Sequence, residues 1–255
     1  MVRSVFAVLI GATAAATVVG TVASAAPRTA APRMAAQVKA AGQSCRAAGF
    51  EPVLKKADFQ RVINNRYFPL PVGRTLTYRG IKDGKSQVDV VHVTSQTKVL
   101  EGITTVAVSD IASHQGKLLE KTTDWYAQDK QGNVWYMGEF TTDFSTGHAD
   151  HSGSWKAGVN DGEPGIVMQA VPQVPNAYRQ ECQQGVAEDM AWTVIKGGSL
   201  QLPFKTAHGI LTSLEFSRIE PSVIDLKVYA PGLGIVLEQA VSGPKEVAKL
   251  VSVHG

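Results

Sequence analysis

The chain has 255 residues, with 25 Lys and Arg against 22 Asp and Glu, a formal charge of +3. A balance this close to neutral argues against nucleic acid as a partner, because that surface needs clustered cations to displace counterions. With 44 % hydrophobic residues, the chain is long enough to bury a substantial core in one β-rich domain.

Arg3 is the only charge in the first twenty-five residues, and the apolar run SVFAVLIGATAAATVVG follows it. Ala23-Ser24-Ala25 then fits the small-x-small rule for signal peptidase. The pattern predicts a signal peptide over 1–25, cleavage after Ala25, and a secreted product, extracellular or in the cell envelope. An uncleaved anchor is the alternative. No cysteine follows the run at a lipobox position, which argues against a lipid anchor. No later stretch approaches eighteen uninterrupted apolar residues, so no transmembrane segment is expected after signal cleavage. Residues 26–43 are Ala-rich with two prolines and too few large apolar side chains to order themselves. They read as a flexible leader, ahead of a single β-rich domain over 44–255.

Cys45 and Cys182 are the two cysteines. In an oxidising compartment an isolated pair usually bonds, and a disulfide between them would tie the N-terminal segment to a distant part of the domain. Two free buried thiols are the alternative. Leu54, Phe59, Val62 and Ile63 fall near one side at helical spacing, which predicts a short helix over 55–63.

From Tyr67 onward the texture becomes that of strands. Pro69, Pro71 and Gly73 precede an alternating run. Further strands are expected over 86–94, 103–114, 117–128, 133–144, 177–182, 188–196, 210–219, 223–230 and 234–241. Turn signals such as KDGK, SHQGK, DKQGN and PGLG separate them. Short strands at this spacing predict a mainly β protein: a single antiparallel, strongly curved sheet, or a barrel or half-barrel.

The stretch TTDWYAQDKQGNVWYMGEF, 122–140, carries the densest aromatic signal. DKQGN suits a type I turn with Gly132 in the left-handed region. The turn pairs Gln128 with Val134, Tyr126 with Tyr136 and Asp124 with Gly138. On the other side Ala127 meets Trp135, Trp125 meets Met137 and Thr123 meets Glu139. Side chains alternate across a strand, so rings stand on both faces, and both faces need cover. The N-terminal segment can cap the outer face while the inner face lines the interior. Tyr126, Tyr136, Trp125 and Trp135 are candidate ligand-binding residues, since each has a large apolar body and a polar handle. Plain core packing is the simpler alternative.

Several strands and motifs resemble a family of secreted bacterial β-rich proteins. The resemblance rests on NRYFPLPVGRTLTYRG, DWYAQDKQGNVWYMGE, PGIVM, YRQE, AED and YAPGLG, and spans about residues 64–241. The family pattern is D-W-Y-A-Q-D-x-x-G-N-V-W-Y-x-G-E at the hairpin. Asn65-Arg66 stands where Asn-Pro is usual, and Cys182 where an aromatic commonly follows, so the disulfide would mark a subset. The resemblance implies export and a β-rich fold. It implies no substrate and no residue roles, because the family has no established activity.

The acidic residues inside these motifs are Asp124, Asp129, Glu139, Glu163, Glu181, Glu188 and Asp189. Glu139, Glu181 and Glu188 are the weak candidates for acid–base catalysis, should they converge in one cavity. Structural ion pairs with Arg66, Arg74, Arg79 and Arg179 are the plainer reading, and Asp129 reads as a turn residue. HADH, His148 to His151, lies in a polar stretch and supports no metal site without further ligands. No G-x-S-x-G elbow, P-loop or dinucleotide fingerprint is present, so no cofactor is expected. The leading expectation is a secreted protein binding an apolar or amphipathic small molecule in a curved sheet. A β-barrel enzyme using interior carboxylates and a ligand-free envelope protein are the alternatives.

Overall fold

The structure, a computed structural model, describes Cys45 and residues 49–255. The signal peptide over 1–25 and the leader over 26–43 lie outside the described residues. The strands in chain order are β1 (Phe59–Gln60), β2 (Thr75–Lys82), β3 (Lys85–Leu100), β4 (Ile103–His114), β5 (Lys117–Asp129) and β6 (Val134–Asp143). There follow β7 (Trp155–Lys156), β8 (Glu163–Met168), β9 (Asn176–Arg179), β10 (Glu181–Cys182), β11 (Asp189–Lys196) and β12 (Ser199–Gln201). The last are β13 (Thr206–His208), β14 (Leu211–Ser217), β15 (Glu220–Ala230), β16 (Gly234–Ser242) and β17 (Glu246–His254).

All but β12 and β13 join one antiparallel sheet of 15 strands, in the order β10-β8-β6-β5-β4-β3-β2-β17-β16-β15-β14-β11-β9, with β1 added on β5 and β7 on β6. Its two edge strands are consecutive in the chain. Arg179 pairs with Met190 of β11, and Glu181 pairs with Pro164 of β8, with Gln180 between them. The sheet is thus nearly closed into a barrel, and one continuous segment forms the seam.

The helix expected over 55–63 is reduced to a 3-10 turn, Lys56–Asp58. Phe59 and Gln60 instead pair with Asp129 and Gln128 at the end of β5. Nine residues are too few to nucleate a helix against competing contacts, and Phe59 finds its apolar surface edge-on to Trp135, 6.2 Å away.

Strand alternation divides the apolar residues into two cores. Inside the barrel, Leu76, Tyr78, Val91, Val93, Val108, Tyr126, Tyr136, Tyr229 and Leu250 share one end with Ile63, Tyr67, Phe68 and Leu70 from the loop before β2. Outside, Leu100, Ile103, Ala107, Trp125, Ala127, Met137 and Ala157 form a smaller core under Leu54 and Phe59. The hairpin is therefore apolar on both faces, with the segment around 54–59 as the outer cover.

The turn has the expected form. Gly132 sits at φ 99, and its amide donates to the Asp129 carbonyl at 3.0 Å. Pairing follows the expected register through Gln128–Val134, Ala127–Trp135 and Tyr126–Tyr136. Beyond Tyr136 it slips by one: Trp125 pairs with Gly138, Asp124 with Glu139 and Thr123 with Phe140. Met137 is the extra residue of a β-bulge, and Gly138 absorbs the bend at φ 138. A Cβ on Gly138 would lie 2.7 Å from the Trp155 carbonyl oxygen. Gly138→Ala is expected to lower stability by about 2–3 kcal/mol, read from a urea unfolding curve, because strained φ and a backbone clash add. An unchanged midpoint would mean that the bulge is absent.

Candidate functional site

The bulge decides which residues enter the barrel. Tyr126 and Tyr136 point inward and stack at 4.9 Å, with Phe68 at 5.3 Å from Tyr126 and Trp155 at 5.4 Å from Tyr136. The Tyr136 hydroxyl donates to Asp124 Oδ1 at 2.6 Å. Both tyrosines thus belong to the packed interior core. Burial, followed by the charges of Asp124 and Glu139, pushes both phenols well above the ordinary tyrosine range.

Past these rings the interior turns polar at one end of the barrel. The register carries Asp89, Asp110, Glu120, Asp124 and Glu139 inward from β3 to β6, all fully or almost fully buried. Glu215, Asp225, Lys227, Glu238 and Glu246 enter from β14 to β17. Glu181 lies near enough to Tyr126 and Tyr136 to raise both phenols further. Glu139 and Glu181 therefore share the interior, while Glu188 does not. Glu188 is half-buried on the seam, accepts from the Gly185 amide at 2.9 Å and faces Arg218 at 3.6 Å.

Burial resists ionisation, and the interior carboxyl groups respond accordingly. Burial, with Asp110 beside it, holds Asp89 well above the usual carboxylate range. Burial does the same to Asp124, reinforced by Glu139 and Asp110 and opposed by the Tyr136 hydrogen bond. Asp225 is raised to about 6, chiefly by burial. Glu215 is the exception. Burial opposes its charge, but Lys227 at 3.2 Å and hydroxyl bonds from Tyr229 and Ser213 outweigh it, and its pKa lies below the ordinary value.

The plainer reading of the acidic set meets the structure at single positions. Asp129 accepts from the Asn133 amide and side chain at 2.8 Å and from the Trp135 indole at 2.9 Å, as a turn residue should. Arg74 donates to the Gly232 carbonyl, and Arg179 lies over Phe50, donates to Cys182 Sγ and feels the charges of Glu188 and Asp189. His151 stacks on Phe140 at 4.9 Å, with Nδ1 at 2.9 Å from the Thr141 carbonyl. No group of three His, Cys, Asp or Glu side chains among the described residues is placed to hold a metal ion.

Trp125 and Trp135 stand on the outer face. Trp135 is tied to Asp129 and Phe59, whereas Trp125 is the floor of a cleft of about 430 Å³. Two bulges build it. Trp125 pairs with Ala107 on β4 and with Gly138 on β6, so small residues flank the indole on both sides. In β3 the register jumps between Val93 and Thr97, and the displaced backbone is pinned by the Thr94 hydroxyl, which donates to the Ala107 carbonyl at 2.7 Å. Gln96, Thr97, Lys98, Thr123, Phe140 and Lys156 complete the walls. Lys98 Nζ stands 4.4 Å from the indole centroid and Lys156 Nζ 5.7 Å, the latter carried by β7, where it pairs with Gly138.

Of the residues that line the cleft, only Trp125 is among the ligand-binding candidates that the sequence offers. The available signals were Gly138 within a strand and the polar run Thr94–Ser95–Gln96–Thr97 breaking the alternation of β3, both marks of bulges.

No family model and no curated protein matches the chain. Among solved structures it is similar to a Bacteroides fragilis protein described as exported and as having a YmcC-like fold. The identity is 13 % and the TM-score 0.45, over 75 % of this chain and 100 % of that one. A Parabacteroides distasonis protein described as a lipoprotein aligns at 10 % identity and a TM-score of 0.43, over 76 % of this chain and 100 % of that one.

Proposed function

We propose that the protein is an exported binding protein that holds an amphipathic small molecule in the cleft over Trp125. The observation that carries this reading is the cleft itself: an indole floor beside the small Ala107, with polar groups along the rim. Small-molecule sites combine apolar and aromatic walls with a few placed polar groups, and bulges commonly shape them. Export rests on the N-terminal pattern of Arg3, an apolar run and Ala23-Ser24-Ala25. The secreted bacterial family with the D-W-Y-A-Q-D motif remains the family we assign on that resemblance.

Native mass spectrometry after incubation with a mixed bacterial lipid extract tests the reading. One-to-one adducts are expected. Thr123→Trp, which would fill the cleft from β5, is expected to reduce them at least roughly tenfold by excluding the ligand. Recovery of bare protein alone, or adducts indifferent to Thr123→Trp, would reject the site.

A second reading is acid–base chemistry inside the barrel, favoured by Asp124 lying opposite Glu139 with its carboxyl raised well above the usual range by burial. It ranks lower because Asp124 and Glu139 are both fully enclosed, at 0 % exposure.

A further inference from the structure

We propose that the molecule held over Trp125 carries an anionic group, seated between Lys98 and Lys156. This inference rests on the binding reading above and adds the chemical class: an organic anion with an apolar body. Lys98 and Lys156 place two ammonium groups around one indole, at 4.4 Å and 5.7 Å from its centroid. Lys156 also lies 5.9 Å from the Phe140 ring. The aromatic faces attract each cation, but the two like charges oppose one another across the cleft. Among the described residues no carboxylate lines the cleft, and neither lysine makes an ion pair with any of them.

The acidic interior does not supply the missing charge. Asp124 and Glu139 neighbour this patch in sequence, yet alternation and the Gly138 bulge send both through to the barrel side of the sheet. The outer face is therefore locally cationic in a chain of small net charge. Gln96, Thr97 and Thr123 add neutral hydrogen-bonding groups beside the lysines. Phe140, 44 % exposed, offers apolar surface next to them. An anion bridging Lys98 and Lys156 relieves their repulsion and gains charge-assisted hydrogen bonds, while its apolar part lies along Phe140 and the indole.

The test uses the exported protein with three probes of equal tail length: decanoate, decanol and decylammonium. Binding is followed by calorimetry and by tryptophan fluorescence. Decanoate is expected to bind roughly tenfold tighter than decanol, the scale of one or two hydrogen bonds to charged donors, with decylammonium weakest. Lys98→Gln with Lys156→Gln should bring decanoate down to the level of decanol and leave decanol unchanged. Raising salt to about 1 M should narrow the wild-type difference, since the groups are near the surface. Equal affinity for decanoate and decanol in the wild type would overturn the anionic assignment while leaving the binding reading intact. Failure of all three probes to bind would overturn both. Both lysines are half-buried against Trp125, so a thermal melt and the unchanged decanol affinity check that the variants are folded.

Discussion

Replacing Lys227 by methionine is expected to cost the protein about 3–5 kcal/mol at pH 8, the range for stripping one partner from a buried ion pair. Lys227 is 1 % exposed, with Nζ 3.2 Å from Glu215 and 4.0 Å from Glu238. Burial alone would discharge the amine, but Glu215, Glu238 and Asp225 outweigh it and hold the lysine above its ordinary pKa. Methionine matches the volume and removes the charge, which strands Glu215, 1 % exposed, without its cation. The pH dependence follows from the signs. Glu215 lies below its ordinary value, so its contribution is present above the unfolded carboxylate pKa and fades as pH falls through the folded one. Glu238 and Asp225 are raised, so they favour the folded state at low pH and lose that contribution as pH rises, for Asp225 through about 6. In the methionine variant Glu215 joins the raised group. Its deficit should therefore be largest above neutrality and shrink below about pH 5, where the carboxyls take up protons. Urea titrations of both proteins at pH 8 and pH 4.5 measure this. An equal deficit at both values would show that packing, not charge, is what Lys227 supplies.

The same network shows why part of this molecule is illegible in its sequence. Asp89 stands between Val88 and Val90, in phase with the inward side chains, and Lys227 sits between Leu226 and Val228 in the same way. A reader of alternation assigns such charges to solvent, because lone buried charges are expensive. They are tolerated here because strands far apart in the chain bring Lys227 to Glu215 and Glu238, and Lys82 to Glu246 at 2.8 Å. Pairings of that kind leave no local trace. The hairpin at Gly132 was legible because turn chemistry and a period of two are local, and three of its pairs follow from them. Legibility ends at Met137, where one extra residue changes the phase of everything after it. That single step moves Glu139 from opposite Thr123 to opposite Asp124, and so from the outer face to the barrel. It also leaves Gly138 beside Trp125, where β7 packs over it and brings Lys156 to the cleft. The strand β17 is illegible for a related reason: EVAKLVSVH alternates weakly, and its partner β2 lies far away in the chain.

Removal of the Cys45–Cys182 disulfide should be the other large perturbation. The two cysteines form the expected bridge, and its sequence separation is 137. In the chain-entropy account, freeing a loop of that length costs about 5 kcal/mol as an upper figure. Its location matters as much as its length. Cys182 belongs to β10, a strand of two residues that pairs only with Glu163 and Pro164 of β8. Such a short edge has little hydrogen bonding of its own, yet it is one lip of the seam on which closure of the barrel depends. The double variant Cys45→Ser, Cys182→Ser is therefore expected to lose several kcal/mol in urea unfolding. Hydrogen exchange should quicken first in β8, β9 and β10, while amides of β3 to β5 around Trp125 stay protected until global unfolding. Uniform loss of protection would mean that the bridge acts only on the unfolded chain. A variant as stable as the parent would mean that the seam holds without its covalent tie.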